Sequence, residues 1–138
     1  TWALLLFFPR WKQTPRLALV IPVLHSLLYA ALVVHMVRFP AVKTVDLASL
    51  AGIAALYRNS DNVLAGWLHY CVFDPLVGLG EVLDAKKQKV PHLLVAPCLL
   101  LTMFLGPVGF LAYLLVRGLY LYAKRPRCVR DYLLSGGR

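Results

Sequence analysis

Apolar residues are grouped along the chain into three long runs, which short basic segments separate. The runs cover residues 17–39, 64–83 and 93–117. About 20 apolar residues, each rising 1.5 Å, are enough to cross the roughly 30 Å hydrocarbon core of a bilayer. A soluble core helix seldom stays apolar on every face over such a length. Each run therefore predicts a complete transmembrane helix.

Three shorter segments complete the predicted architecture. Residues 1–8 are apolar but too short to span, and the chain does not begin with Met, so we expect the end of a fourth helix that begins upstream. Residues 46–58 carry apolar side chains at helical spacing after a candidate N-cap, Asp46, which predicts a short interfacial helix. The last span ends in an interfacial belt of tyrosines, Tyr113, Tyr120 and Tyr122, and residues 118–138 are predicted as a basic tail.

Composition supports a membrane protein. The 138 residues are 60% hydrophobic and 15% charged, with a mean hydropathy of +0.70, whereas about a quarter of a soluble domain is charged. The sequence thus predicts a single all-α membrane domain, a small bundle of three complete transmembrane helices, the end of a fourth and one interfacial helix.

The formal net charge is +9, and the basic residues lie beside the spans. This favours loops that contact anionic lipid over a nucleic-acid-binding face. Four spans would divide the basic residues between the two sides of the membrane. Lys86, Lys87 and Lys89 would lie on one side and Lys124 on the other. The positive-inside rule then indicates no clear orientation.

The second run contains the most informative polar residue, Asp74, about midway along it. A carboxylate near the bilayer centre costs roughly 2.5–3.5 kcal/mol on insertion scales, so it needs a protein partner, a cavity or a proton. Helical spacing places it on one stripe, formed by Val63, Trp67, Tyr70, Asp74, Gly78 and Glu81. Pro75 leaves the Cys71 carbonyl without its helical partner, which makes the region polar.

Two roles for Asp74 remain open. It is either a functional acid or a structural link that bonds to Ser26, Tyr29 or Thr102. Glu81, near the end of the span, is expected to be solvated. Gly78 would allow a neighbouring helix or a ligand to approach closely.

Histidines offer a second kind of candidate. His69 lies about 140° around the helix from Asp74, and His25 and His35 are roughly 15 Å apart along theirs, so the latter two cannot share a metal. No intrinsic metal site is predicted, since the three cysteines also lack a ligand spacing. His69 remains a candidate proton donor, hydrogen-bonding group or chlorophyll ligand, and His25 and His35 are candidate chlorophyll ligands.

The third run carries Thr102, Gly106 and Gly109 on one predicted face. The glycines lower the helix surface for close contact, and Pro107 frees the Met103 carbonyl and is expected to kink the helix. We expect a groove between this face and the Asp74 stripe, in which a long apolar ligand could lie.

The segments GWLHYCVFDPLVG and LTMFLGPVGFLAYLLVR, with TWALLLFFPRW and DLASLAGIAALYRN upstream in the same order, resemble the ABA-deficient-four family, also called neoxanthin-deficient. The resemblance covers most of the chain, from about residue 2 to 117. Its most specific positions are Trp67, His69, Asp74, Gly106, Pro107 and Gly109. Pro75 and the basic tail depart from the usual pattern.

This resemblance implies a small plastid or bacterial membrane protein of about four helices. In plants the family is needed to make neoxanthin from violaxanthin. A thylakoid or plastid-envelope location follows as an expectation, as does a carotenoid ligand.

Two functions are therefore predicted side by side. The first is a cofactor-independent epoxy-carotenoid isomerase in which Asp74, Tyr70 and His69 supply acid–base catalysis. The second is a non-catalytic pigment-binding or structural subunit of a photosystem–antenna complex, partnered by lipid, carotenoid or chlorophyll. The residues proposed to contact pigment are Trp67, His69, Gly78, His25, His35, Thr102, Gly106 and Gly109.

Overall fold

Helices make up the secondary structure in the part of the chain that the structure, a computed structural model, describes: residues 1–40 and 46–124. The helices are α1 (Trp2–Phe7), α2 (Thr14–Arg38), α3 (Leu50–Leu56), α4 (Ser60–Gln88), α5 (His92–Leu105) and α6 (Pro107–Lys124). The all-α class is confirmed for these residues. The predicted tail beyond Lys124, including Cys128, lies outside them.

The two longest helices, α2 and α4, form an antiparallel pair. Tyr29 of α2 lies beside His69 of α4, with ring centroids 6.3 Å apart, while Met36 and Asn62 line one cavity nearer the other end of the pair. Both helices are long and apolar enough to cross a membrane by length and composition. Two of the three predicted complete spans thus correspond to long single helices.

Helix α4 extends beyond its apolar run because both ends are capped. The Asn59 side chain accepts hydrogen bonds from the amides of Asp61 and Asn62, at 2.9 and 3.3 Å. At the other end Lys89 adopts a left-handed conformation, and the Val90 amide donates to the Ala85 carbonyl at 2.9 Å. These bonds satisfy groups that a helix terminus leaves unpaired.

The third predicted span is not confirmed, because residues 93–117 belong to a helical hairpin. Helix α5 has 14 residues, or about 21 Å of rise, too short to cross a bilayer alone. After Gly106 the chain reverses, and the hydroxyl of Tyr120 in α6 donates to the Lys89 carbonyl at 2.9 Å, close to where α5 began. Helix α6 therefore runs alongside α4 in the same direction, and α5 runs opposite to both.

Glycine and proline explain the reversal. Gly106 has a φ of +46°, which side chains disfavour, and Pro107 suits the first position of a helix because its missing N–H would be unpaired there. Two residues into α6, a methyl group on Gly109 would lie 1.9 Å from the Thr102 nitrogen. The predicted shared face of Thr102, Gly106 and Gly109 is thus divided between the two arms and their turn.

The core lies between α1, the hairpin and the C-terminal half of α4. Its fully buried side chains include Leu5, Val82, Val95 and Leu99. In contrast, α2 is largely uncovered: Leu24, Leu27 and Leu28 are 51%, 64% and 58% exposed.

Helix α3 is shorter than predicted and begins later. Its N-cap is Ser49, whose hydroxyl oxygen accepts from the Gly52 amide at 3.1 Å, so the expectation of an N-cap at Asp46 is wrong. Asp46 instead accepts from the Ser49 hydroxyl at 2.5 Å, and this bond lowers the pKa of the Asp46 carboxyl.

The hairpin also changes the distribution of charge. The Lys124 ammonium lies 4.6 Å from the centre of the Tyr120 ring, which places Lys124 near Lys89. The expectation that these two lysines lie on opposite sides is therefore wrong. Arg10 shares a cavity with Lys86 and Lys89, so basic residues gather at one end of the bundle, which we call the basic end.

Candidate functional site

Asp74 lies midway along α4, where the tip of the hairpin reaches it. A methyl group added to Gly106 would be 3.4 Å from each carboxyl oxygen. Oδ2 is buried and has no hydrogen-bond partner among the described residues. A buried polar group without a partner is costly, so this oxygen is a candidate to carry a proton or to bond to a ligand that enters the site.

Tyr70 occupies the same stripe, one helical turn before Asp74. Its hydroxyl donates a hydrogen bond to the Met103 carbonyl. This carbonyl is the group that Pro107 leaves without a helical partner. With its proton engaged, the phenol oxygen can still accept a hydrogen bond from a protonated carboxyl or a ligand hydroxyl.

His25 comes from α2 and faces the same space. Its Nδ1 donates to the Ile21 carbonyl at 2.9 Å, since a carbonyl can only accept. In the neutral ring this leaves Nε2 as an acceptor. Sequence reasoning considered His25 only as a pigment ligand, because nothing local indicates which residue of another helix it faces.

These groups line a cavity of about 170 Å³. We call it the Asp74 cavity, and its lining residues are Thr1, Trp2, Ile21, His25, Tyr70, Cys71, Asp74 and Pro75. Pro75 frees the Cys71 carbonyl at this point. The cavity thus combines an acid, a phenol and an imidazole within apolar walls.

A larger opening, of about 580 Å³, adjoins Tyr70 on its other side. We call it the aromatic groove, and it is lined by Tyr57, Val63, Gly66, Trp67, Tyr70 and Phe104. The hairpin reaches only to the middle of α4. The aromatic groove follows the first half of the predicted stripe, from Val63 to Tyr70, which the hairpin leaves uncovered. The expected groove between Gly106 and Asp74 is wrong in position, because the hairpin tip lies directly against Asp74.

The structure separates other predicted residues from this site. His69 is exposed and stacks on Phe73, with centroids 4.5 Å apart. It does not line the Asp74 cavity, so its predicted part in catalysis gains no support. His35 is exposed beside Phe39, and the space over Gly78 is filled by the Trp2 indole, 2.7 Å from where a methyl group would stand.

Glu81 is buried, contrary to the expectation that it is solvated. It is 2% exposed, and the Thr102 hydroxyl lies 2.9 Å from its Oε1 and 3.0 Å from the Cys98 carbonyl. One hydroxyl proton cannot serve both acceptors. A protonated Glu81 that donates to Thr102 would allow Thr102 to donate to Cys98.

Candidate structural partners of Asp74 are engaged elsewhere. Thr102 bonds to Glu81 and Cys98, and the Ser26 hydroxyl donates to the Pro22 carbonyl at 2.8 Å. Tyr29 lies by His69. The contacts that would make Asp74 a link between helices are therefore not formed among the described residues, which favours a functional role for its carboxyl.

The comparisons identify one family. Residues 1–113 match the ABA4-like model, described as ABA DEFICIENT 4-like. This match includes Asp74, the aromatic groove and the tip of the hairpin. No curated protein and no solved structure matches the chain.

Proposed function

Because the chain belongs to the ABA DEFICIENT 4-like family, we propose that it isomerises an epoxy-xanthophyll within a membrane, on the route to neoxanthin. The observation that carries this proposal is the buried, unpartnered oxygen of Asp74, in one cavity with Tyr70 and His25. A plastid membrane is the proposed location, as the family implies for plants.

Lipid contact is supported by the surface of α2. Leu24, Leu27 and Leu28 are each more than half exposed, and contiguous apolar surface of this kind is unfavourable in water. Hydrocarbon around α2 removes that cost. The Asp74 cavity then opens among helices at mid-membrane depth, where a carotenoid dissolves.

Size determines how such a ligand would lie. A cavity of about 170 Å³ is smaller than the roughly 300–1,000 Å³ of most small-molecule sites. It suits one cyclic end group of a xanthophyll rather than the whole molecule. The polyene would leave past Tyr70 along the aromatic groove, whose exposed Trp67 offers a flat apolar surface.

Isomerisation of a 5,6-epoxide to an allene needs one acid and one base. A protonated Asp74 gives its proton to the epoxide oxygen as the C–O bond breaks. The Nε2 atom of His25 removes a proton from the chain carbon beside the ring, whose electrons complete the allene. Return of that proton from His25 to Asp74 restores both groups, and the product has the same atoms as the substrate.

Expression in a violaxanthin-producing bacterial host tests the proposal. The wild-type chain should form neoxanthin, measured by liquid chromatography. Asp74→Asn should lower the rate by about 100-fold or more, the scale of a lost general acid. Asp61→Asn, a change of the same kind in the first turn of α4, should leave it unchanged.

Two outcomes would count against this function. Full activity of the Asp74→Asn variant would remove Asp74 from the mechanism. Stoichiometric chlorophyll in the purified protein, without any conversion of violaxanthin, would instead favour the pigment-binding subunit of a photosynthetic complex.

A further inference from the structure

A second cavity, remote from Asp74, lies at the basic end of the bundle. Its volume is about 370 Å³, and Arg10, Lys86, Lys89 and His92 line it. These side chains come from the α1–α2 connection, the end of α4 and the start of α5. The α1–α2 connection and the end of α4 therefore bring positive charge to one opening, which we call the basic cavity, and the start of α5 adds an imidazole to its wall.

The floor of the basic cavity is apolar and well packed. It is formed by Val82, Ala85 and Val90, which are 2%, 4% and 7% exposed. Because these residues belong to the core, the floor has a defined shape. Charged groups thus stand around an apolar base, an arrangement that suits an amphipathic ligand better than a hydrated ion.

The backbone holds Lys89 in place at a conformational cost. Its φ of +56° is the one left-handed value of a non-glycine residue in the described ranges, and glycine is the usual residue at such a helix end. The Lys89 carbonyl accepts from the Tyr120 hydroxyl at 2.9 Å. A lysine at a position that favours glycine is consistent with a role for its side chain in this cavity.

Opposite charge is absent from the cavity wall. No Asp or Glu lines it, and the ion pair found in the described part of the chain joins Asp84 to Arg117, at 2.5 Å. The three cations of the wall have no carboxylate partner among those residues. An anion would supply the missing charge.

Neighbouring aromatic residues indicate where that anion comes from. Phe7, Phe8 and Trp11 are 74%, 57% and 49% exposed and flank Arg10. Exposed aromatic side chains beside basic residues are typical of the headgroup level of a membrane. We propose that the basic cavity binds the phosphate-type headgroup of an anionic lipid, with Arg10, Lys86 and Lys89 contacting its oxyanion.

The test uses the full chain in neutral detergent and follows tryptophan fluorescence. Dioctanoyl phosphatidylglycerol should bind at least about tenfold more tightly than dioctanoyl phosphatidylcholine, the effect of one charge-assisted contact. Lys86→Gln should weaken binding of the anionic lipid by about the same factor. Lys87→Gln is the matched control, because Lys87 is exposed on the same helix and does not line the cavity.

A second variant separates binding from folding. Lys89→Gly removes the charge but relieves the left-handed backbone, so it should raise the melting temperature while it weakens lipid binding. Equal binding of the two lipids, or an equal effect of Lys86→Gln and Lys87→Gln, would overturn the site. If inorganic phosphate competes for the basic cavity at the same concentration as the lipid, the proposal that a lipid headgroup occupies the cavity is wrong.

Discussion

The hydroxyl of Tyr70 donates to the carbonyl of Met103, on the arm of the hairpin that ends at Gly106. The bond joins α4 to the tip of the hairpin at the level of Asp74. It also satisfies a carbonyl that Pro107 would otherwise leave unpaired within apolar surroundings. The bond therefore helps to hold the tip of the hairpin over Asp74.

Removal of this hydroxyl should loosen the hairpin tip. We expect Tyr70→Phe to lower the free energy of unfolding by about 1–3 kcal/mol, because the Met103 carbonyl loses its donor. Thermal unfolding in detergent measures the effect. Tyr122→Phe is the control, since Tyr122 is 39% exposed and has no hydrogen bond in the described structure. Equal melting temperatures for the two variants would contradict the role of Tyr70.

Glycine substitutions test the turn. Gly109→Ala should destabilise the chain by about 3 kcal/mol or more, because its methyl group overlaps the Thr102 backbone and the hairpin must open. Gly118→Ala, in the same helix with no atom within 4 Å of the added methyl, should stabilise it by about 0.5–1 kcal/mol. If both variants unfold at the same temperature, the close packing of α5 on α6 is wrong.

The protonation of Glu81 can be tested with a neutral isostere. Glu81→Gln should keep the free energy of unfolding within about 0.5 kcal/mol, because an uncharged side chain already suits the Thr102 network. Thr102→Val should cost about 1–3 kcal/mol by leaving Glu81 without its partner. A larger loss for Glu81→Gln than for Thr102→Val would show that Glu81 is ionised.

The hairpin makes a topological prediction for the protein in sealed vesicles. In a variant that lacks Cys71, Cys98 and Cys128, single cysteines in place of Lys87 and Lys124 should react with an impermeant maleimide from the same side. A cysteine in place of Arg58, at the other end of α4, should react only from the opposite side. If positions 58 and 124 are labelled from the same side, residues 93–117 form one continuous span and the hairpin is wrong.

Some of these features follow from local patterns. Asp74 is conspicuous because it is the charged residue in the middle of an apolar run, and the freed carbonyl of Met103 follows from Pro107 alone. The partner of that carbonyl does not. Tyr70 is 33 residues away, and nothing in the sequence between them indicates that their helices meet at this register.

The reversal at Gly106 illustrates why the third predicted span is not confirmed. A Gly-Pro pair inside an apolar run is compatible with a kinked helix and with a tight turn. The turn is favoured by contacts far from it, such as Tyr113 donating to Asp84 at 2.6 Å and Arg117 donating to the same carboxylate at 2.5 Å. Burial of Glu81 has the same origin, since the hairpin covers the end of α4.

By itself the sequence determined the helical class, the presence of α2 and α4 as long apolar helices and the presence of an acid in mid-helix, because these depend on residue type and spacing within one segment. Tertiary structure alone decided that the last apolar run folds back, that His25 rather than His69 joins Asp74, and that basic residues meet at one end. These outcomes depend on packing between distant segments, whose free energies no local pattern encodes.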